Sequence, residues 1–374
     1  MYSPTISVLA EKEVCWLAPP PEDGDAWRDV VLSSRIRLAR NVKDCCFPAR
    51  ADDPALLEIR SGCAKALEGA LTDLGGSCMA FPVDQLASSE REFLLECHYI
   101  SREFLHPRTG AALLADPRQG IFVMVNEEDH LRFQALAPGM ALRELWKKIS
   151  LLDDRVSARL PYAFDPRYGY LTSCPSNLGT GMRASVMMHL PGLALAGQIP
   201  GVANALKTLK FALRGFYGEG SSPEGNLFQI SNESTLGETE ENLIARLERV
   251  CARLCACEKK TRLSLLEHKK ELLLNFIGKS YGTARYAYSL KSAEGINALS
   301  GILLGAEMKI LPFLAPEEVK RHLLLIQKEH LRRASERKEN EFSPGEREVL
   351  RASLLREYLR KNEGPPAGGR KERG

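Results

Sequence analysis

The sequence lacks any long apolar run and carries little net charge. No stretch of about 18 consecutive apolar residues occurs, and the first residues show no basic region followed by an apolar one. We therefore expect neither a membrane span nor a signal peptide, and the cytoplasm is the expected location. The formal charge of +3, from 51 basic and 48 acidic residues, provides no dense basic face, so nucleic acid is not an expected partner.

Paired cysteine motifs are also missing, although the chain has ten cysteines. They are scattered, unlike those of a small disulfide scaffold, and we expect most of them to be reduced and buried. Cys251, Cys255 and Cys257 lack the C-x-x-C spacing of zinc sites and fit one helix face better than a tetrahedral cage. The sequence thus predicts no metal site built from protein ligands.

The chain is long enough for a large core and two domains. Up to about residue 240, short β-rich runs alternate with helical stretches, which indicates an α+β fold. The β-rich runs lie at 120–126, 168–174 and 226–231, and one helical stretch covers 141–152.

After Thr239 the pattern becomes helical. Apolar residues recur at three- and four-residue intervals up to Phe276, as in one long amphipathic helix. Further helices are predicted at 291–311, 316–337 and 344–361. The start of the last helix is predicted by a capping box, formed by Ser343 and Glu346, and by Pro344 at the first helical position. The expected division is a catalytic domain over 1–250, an all-helical domain over 251–361 and a disordered tail over 362–374.

The first candidate functional segment is SSRIRLAR at 33–40. Arg35 and Arg37 alternate with apolar residues, as on a strand that presents both guanidinium groups on one face. The fork of an arginine matches phosphate oxygens bidentately, so this face is a candidate phosphate site. The alternative is an edge strand with solubilising charges.

The second segment is NEEDHLR at 126–132, directly after an apolar run. Three consecutive carboxylates usually form a solvated turn. A functional role needs a partner such as a guanidinium substrate, which a carboxylate can bind, align and deprotonate.

Two loops complete the set. LTSCPSNLGTGMRAS at 171–185 is rich in small residues that bring backbone N–H groups close to an anion. Its Cys174 is either a partly ionised thiol near arginines or a packed apolar side chain. The other loop, RGFYGEGS at 214–221, contains several glycines. It is either a loop that closes over a substrate or a plain surface loop.

Together and in this order, the four segments resemble the signature blocks of the phosphagen (guanidino) kinases, the family of creatine and arginine kinases. The resemblance covers about residues 28–245. It implies a guanidino-kinase catalytic domain with an antiparallel β-sheet flanked by helices. Within the family, 169–193 and 214–242 are most similar to the bacterial protein arginine kinases.

The resemblance implies that the site binds ATP together with Mg²⁺ held mainly through the phosphates. Glu128 matches the catalytic carboxylate of the family, Glu219 matches a second one used by arginine-specific members, and Cys174 matches an active-site thiol. Where creatine and arginine kinases have a histidine, this chain has Met187, so contacts to the nucleotide ring are not carried over. The arginines expected to clamp the phosphates are Arg35, Arg37, Arg132, Arg183 and Arg214.

The helical C-terminal domain resembles the extra domain of the protein arginine kinases, which binds phosphoarginine. The family motif there is R-D-x-x-R-A, and this chain has a glutamate in place of the aspartate. The resemblance implies that Arg347, Glu348 and Arg351 bind phosphoarginine, because a phosphate and a guanidinium call for charges of both signs. A solvated helix face is the alternative.

The function implied is transfer of the γ-phosphate of ATP to arginine side chains of proteins, which marks them for a Clp-type ATPase and protease under stress. Only 32 residues precede Ser33, where kinases of small guanidino compounds have a helical domain that encloses the substrate. We therefore expect a protein acceptor. An activator protein and a second copy of the chain, forming a homodimer, are further expected partners. The alternatives are a kinase for free arginine and a catalytically silent phosphoarginine-binding adaptor.

Overall fold

The computed structural model describes residues 6, 9, 14–18, 27–215, 224–335 and 343–362. Ten strands lie within them: β1 (Val31–Arg40), β2 (Met79–Pro82), β3 (Ala112–Asp116), β4 (Ile121–Val125), β5 (Leu131–Pro138), β6 (Phe164–Asp165), β7 (Gly169–Tyr170), β8 (Met182–His189), β9 (Phe211–Gly215) and β10 (Leu227–Asn232). Eight of these strands form one antiparallel sheet in the order β2-β3-β4-β5-β1-β8-β10-β9, and β6 and β7 form a separate hairpin.

The described helices lie between the strands of this sheet in the chain and after the last of them. They are α1 (Asp53–Asp73), α2 (Ser88–Glu96), α3 (Leu142–Ser157), α4 (Pro191–Leu195), α5 (Ile199–Thr208), α6 (Glu240–His268), α7 (Lys270–Tyr286), α8 (Ser292–Glu307), α9 (Pro316–Leu325), α10 (Lys328–Ala334) and α11 (Pro344–Asn362). Short 3₁₀ turns lie at Val83–Gln85, Glu103–Leu105, Pro175–Asn177 and Glu224–Asn226. The expected α+β class, with a helical C-terminal region, is confirmed.

The two faces of the sheet pack against different helices. On β1 the apolar Ile36 and Leu38 face one way and join a core with α1, α3 and α6. The opposite face contributes Leu136 and Met187 to a second core, which the C-terminal helices complete. The C-terminal helices cover only part of this second face, and the arginines of β1 occupy another part of it.

A buried network of charges joins the sheet to the C-terminal helices. Both oxygens of Glu258 accept hydrogen bonds from the backbone at the start of α4, from the N–H groups of Gly192 (2.8 Å) and Leu193 (2.9 Å). Arg262, one turn further along α6, donates to Glu258 (2.7 Å) and to Glu307 of α8 (2.8 Å). Since charges this deeply buried are tolerated only when paired, the network fixes how α6 and α8 meet.

Several predicted elements are confirmed, and two need correction. The strand predicted at 168–174 is wrong beyond β7, because Leu171–Cys174 belong to no strand and the chain bends at Ser173 and Cys174. The helix predicted at 316–337 breaks at Ile326 and Gln327 into α9 and α10. The capping box is confirmed: Ser343 N donates to Glu346 Oε2 (3.0 Å) and Glu346 N donates to Ser343 Oγ (3.3 Å).

The long helix predicted after Thr239 is two helices, since Lys269 separates α6 from α7. Residue 250, the predicted end of the first domain, lies inside α6, and the domain boundaries stay a prediction. All ten cysteines are free thiols, but only Cys63, Cys97, Cys251 and Cys255 are buried, so the expected burial of most of them is wrong. The predicted tail lies almost entirely outside the described residues.

Candidate active site

Strand register brings the arginines of distant segments to one face of the sheet. Arg37 of β1 lies opposite Arg183 of β8, and Ala39 of β1 lies opposite Arg132 of β5. On the other side of β8, Gln229 of β10 lies opposite Arg214 of β9. Because alternate residues of a strand share a face, these positions and Arg35 point to the same side. β1 is a central strand, so the alternative of a solubilising edge strand is wrong.

A cavity of about 570 Å³ opens over this face. Its floor includes the five predicted clamp residues Arg35, Arg37, Arg132, Arg183 and Arg214. Glu128 and Cys174 line the same cavity. One wall is the segment 100–108, and another is the end of α9 with Gln327. The structure thus brings together every predicted catalytic and phosphate-binding residue that it describes.

Glu219, the second predicted catalytic carboxylate, lies outside the described residues. Arg214, which precedes it in the same glycine-rich segment, is at the end of β9 and lines the cavity.

The arginine cluster creates a strongly positive field. Burial, followed by the charges of Arg183 and Arg132, lowers the pKa of Arg35 to about 10. Burial and the neighbouring guanidinium groups also lower the pKa of Arg37 well below its usual value. Burial and the charge of Arg35 lower the pKa of His98 to about 3, so its imidazole is neutral at pH 7. A bound anion would relieve this repulsion.

The residues fit a polyphosphate. Nε of Arg37 is buried and has no hydrogen-bond partner among the described residues. A phosphate oxygen is the natural acceptor for such an atom, since an unpaired buried donor is costly and guanidinium forks match phosphate geometry. Gln229 holds Arg35 in place, accepting a hydrogen bond of 2.6 Å from its Nη2.

Glu127 is a site residue that sequence reasoning missed. Its carboxylate is buried and accepts a hydrogen bond of 2.6 Å from Nη1 of Arg132. Ser101 Oγ donates to its other oxygen. Burial acts to raise the pKa of Glu127, but the charge of Arg132 and these hydrogen bonds outweigh it and lower the pKa. The acidic run itself contains no signal that distinguishes Glu127 from Glu128. Glu127 is identified by its contacts with Ser101 and Arg132, which only the folded chain shows.

Glu128 is the more accessible carboxylate. Its side chain is 41% exposed and lies 3.1 Å from Nη1 of Arg132. Burial, with Asp129, Glu127 and Glu103 nearby, raises its pKa despite the opposing charge of Arg132. Ser173 Oγ holds the segment by donating to the carbonyl of Glu128 (2.7 Å). A carboxylate with a raised pKa at an open cavity is suited to accept a proton.

Cys174 lies between the two alternatives drawn from the sequence. It is partly buried, and its Sγ is 3.0 Å from Ser176 Oγ in the loop that borders the cavity. It is therefore not a packed core residue, and it lines the same cavity as the arginines.

A second cavity of about 520 Å³ is lined by Arg347, Glu348 and Arg351 of α11. Lys291 and Lys328 also line it. The two cavities share Leu95, Glu96, Arg102 and Gln327 as lining residues, so they are neighbours.

Arg351 differs from the other two residues of this motif because it is buried. Its Nε donates to the carbonyl of Ile326 (2.9 Å), where α9 ends, and its Nη1 donates to the carbonyl of Leu290 (2.7 Å) before α8. Gly295 of α8 makes room for it, since a Cβ there would lie 3.0 Å from Cδ of Arg351. Arg351 therefore ties three helices together.

Comparison with known proteins agrees with this geometry. The family model described as ATP:guanido phosphotransferase, C-terminal catalytic domain, matches residues 58–261, more than half of the chain. The chain belongs to the ATP:guanido phosphotransferase family. A second model, described as the Protein-arginine kinase McsB C-terminal domain, matches residues 270–369. Membership of this kinase family implies the use of ATP.

Two relatives cover nearly the whole chain. The protein-arginine kinase of Halothermothrix orenii is 38% identical over 333 residues, which are 89% of this chain and 93% of the relative. That of Moorella thermoacetica is 38% identical over 355 residues, which are 95% of this chain and 99% of the relative.

Solved structures of other guanidino kinases share the fold. Lombricine kinase has a TM-score of 0.56 at 22% identity, with 68% of this chain and 71% of that chain covered. The duplicated taurocyamine kinase of Schistosoma mansoni has a TM-score of 0.56 at 23% identity, with 83% of this chain and 42% of that chain covered. Across the described ranges, this member of the family contains no helix that is both long and apolar enough to span a membrane.

Proposed function

We propose that this ATP:guanido phosphotransferase transfers the γ-phosphate of ATP to arginine side chains of proteins. The observation that carries the proposal is the convergence of five arginines and Glu128 in one cavity. A clamp of this kind suits a polyphosphate donor, and the adjacent carboxylate suits a guanidinium acceptor.

The residues divide the chemistry between them. Arg35, Arg37 and Arg132 line the cavity floor, where they neutralise charge on the transferring phosphoryl group. A guanidinium has no free lone pair at neutral pH, so it must lose a proton as the new N–P bond forms. Glu128 aligns the acceptor and takes this proton, and its raised pKa makes it a better base. Mg²⁺, held mainly through the phosphates, adds positive charge to the clamp.

A protein acceptor is supported by the relatives that match nearly the whole chain, each named a protein-arginine kinase. The match of residues 270–369 to a domain found in such kinases supports it further. Solved kinases of small guanidino compounds match less of this chain, 68% for lombricine kinase and 83% for the duplicated taurocyamine kinase.

The deciding experiment offers the purified chain Mg-ATP with either an unfolded arginine-rich protein or free arginine. Phosphate is then located by mass spectrometry under neutral handling, because N–P bonds are acid-labile. We expect phosphate on protein arginines and none on free arginine. Transfer to free arginine alone would indicate a small-molecule kinase, and no transfer to either acceptor would indicate a silent adaptor or a missing activator.

The second cavity is our candidate phosphoarginine site. Arg347 and Glu348 at its edge offer a cation for the phosphate and an anion for the guanidinium. Lys291 and Lys328 add positive charge. Through this site the chain would bind proteins that carry phosphoarginine, and a Clp-type ATPase and protease would then degrade these proteins.

Three further expectations remain part of the proposal. We place the enzyme in the cytoplasm, which the ten free thiols support, since oxidising compartments favour disulfides. Exposed Tyr286, the last residue of α7, and exposed Tyr288 just beyond it offer an apolar surface for a second copy of the chain. An activator protein would be revealed by transfer that appears only when cell extract is added.

A further inference from the structure

The hydroxyl of Ser101 lies between the rim of the active-site cavity and the phosphate clamp. Ser101 comes just before the 3₁₀ turn Glu103–Leu105, which lines the cavity mouth. Its Oγ accepts a hydrogen bond of 3.3 Å from the N–H of Phe104 and donates one to Oε1 of Glu127. A hydroxyl has a single hydrogen, so its whole donor capacity goes to Glu127.

Glu127 passes this constraint to two functional groups. Its Oε2 accepts hydrogen bonds of 2.6 Å from Nη1 of Arg132 and 2.6 Å from the backbone N–H of Glu128. The side chain of Glu127 is 1% exposed, so water does not replace a lost partner easily. With Oε1 fixed by Ser101, the plane of the carboxylate is fixed, and so are the guanidinium of Arg132 and the backbone of Glu128.

We propose that Ser101 is a positioning residue for phosphoryl transfer, acting through Glu127 on both Arg132 and Glu128. The inference rests on the proposed function, in which Arg132 binds the phosphates of ATP and Glu128 accepts the proton of the substrate guanidinium. Ser101 itself touches neither ATP nor the acceptor in this scheme. Its contribution is to orient the two groups that do.

The proposal has a distinctive pH signature. The hydrogen bond from Ser101 is one of the interactions that hold the pKa of Glu127 below its usual value. Removing the donor raises the pKa of Glu127. As the pH is lowered, Glu127 of the variant therefore becomes protonated, and stops holding Arg132, at a higher pH than in the wild type. The loss of ATP affinity on acidification should accordingly begin at a higher pH in the variant.

The test compares Ser101→Ala with Ser101→Thr, which keeps the hydroxyl, and with Ser157→Ala as a matched control. Ser157 donates to the Asp154 carbonyl within α3 (2.9 Å), far from the residues of the phosphate clamp in sequence. For Ser101→Ala we expect an ATP dissociation constant about tenfold higher by calorimetry, since hydrogen bonds to charged groups are the stronger ones. We also expect a lower kcat, and we expect the acidic limb of the pH profile of ATP binding to move to higher pH. Ser101→Thr and Ser157→Ala should resemble the wild type.

A purely structural role predicts a different result. In that case Ser101→Ala lowers the unfolding midpoint, while the folded fraction keeps the wild-type dissociation constant and pH profile, and the proposal is overturned. A double-mutant cycle with Glu127→Gln is the second measurement. We expect Ser101→Ala to add little in the Glu127→Gln background, and fully additive effects would also overturn the proposal.

ATP binding is measured without an acceptor, so the two proposals fail separately. A wild type that binds ATP yet phosphorylates no arginine contradicts the proposed acceptor. An unchanged dissociation constant and pH profile in Ser101→Ala contradict the role of Ser101.

Discussion

At the scale of single residues, the active site is a set of like charges held together against their mutual repulsion. Arg35 and Arg37 are partly buried beside Arg132 and Arg183, and their pKa values are lowered by desolvation and by the neighbouring guanidinium charges. Such an arrangement costs stability in the absence of ligand and is compensated when a polyanion binds. The carboxylates divide by burial, with Glu127 holding Arg132 and Glu128 open to the acceptor.

Glu128→Gln removes the proton acceptor while keeping the shape of the side chain. We expect kcat to fall by about 10²- to 10⁴-fold, the usual contribution of a general base, with ATP affinity nearly unchanged. Transfer to a protein acceptor and ATP calorimetry measure the two effects. Glu144→Gln, an exposed change of the same kind on α3, is the control. Wild-type turnover in Glu128→Gln would contradict its assignment as the base.

The pH dependence of kcat should show the raised pKa of Glu128. The carboxylate must be ionised to accept a proton, so activity is full above its pKa and is lost as the pH falls through it. Because burial and nearby carboxylates raise this pKa, the loss should begin above the value of about 4.3 typical of glutamate. A pH profile at saturating ATP tests this expectation. An acidic limb at the usual value would mean that Glu128 does not limit the rate.

Arg37→Ala should separate binding from stability. We expect ATP to bind about 10- to 100-fold more weakly, since a charge-assisted hydrogen bond to phosphate is lost. The unfolding midpoint without ATP should stay the same or rise, because repulsion with Arg35 and Arg183 is relieved. Calorimetry and thermal unfolding measure the two quantities, with exposed Arg167→Ala as the control. A marked loss of stability with unchanged binding would indicate a structural arginine instead.

At the scale of elements, α11 serves the fold and the second cavity with different residues. Arg351 is buried and ties the start of α8 to the end of α9. Arg347 is partly buried and lines the cavity. Two arginines on one helix, with similar places in a sequence motif, therefore have different expected roles.

Arg347→Ala and Arg351→Ala should accordingly give different results. We expect Arg347→Ala to weaken phosphoarginine binding with little change in the free energy of unfolding. Arg351→Ala should lower that free energy by about 3 kcal/mol, because two backbone carbonyls lose a charged donor. Denaturant titration and phosphoarginine calorimetry on both variants provide the measurement. Equal binding by Arg347→Ala and the wild type would place the phosphoarginine site elsewhere.

At the scale of the whole molecule, the charge network of Glu258, Arg262 and Glu307 joins the sheet to the C-terminal helices. His189, at the end of the strand that carries Arg183, donates or accepts a hydrogen bond of 2.9 Å with Ser300 of α8. The C-terminal helices also supply part of the active-site wall. The two regions are thus one structural unit around the site.

Arg262→Ala should destabilise this unit strongly. Removing Arg262 takes away the cation that Glu258 and Glu307 share and leaves these buried carboxylates with weaker partners, at a cost of about 3 to 5 kcal/mol. The exposed pair of Arg143 with Glu248 provides the control, since Arg143→Ala should cost at most about 1 kcal/mol. Denaturant unfolding measures both variants. Similar small losses in the two would show that the buried network is not needed for stability.

Local patterns in the sequence predicted several elements and a candidate phosphate-binding face. Alternation of arginine with apolar residues predicted β1 and its arginine face, and the capping box at Ser343 predicted the start of α11. These signals are local, since strand alternation and helix caps depend on residues a few positions apart. The resemblance of the four segments to a kinase family supplied the roles of Glu128 and the five arginines.

Tertiary structure alone decided which residues meet. Strand register, set by pairings across more than a hundred residues, placed Arg37 opposite Arg183. Long-range contacts pair Glu127 with Arg132 and Ser101 and bury Arg351 between helices. The predicted helix ends after α9 at Ile326, whose backbone carbonyl accepts a hydrogen bond from Arg351. The sequence by itself determined which groups were available for phosphoryl transfer. Their division into clamp, base and support depends on burial and partners, which only the folded chain defines.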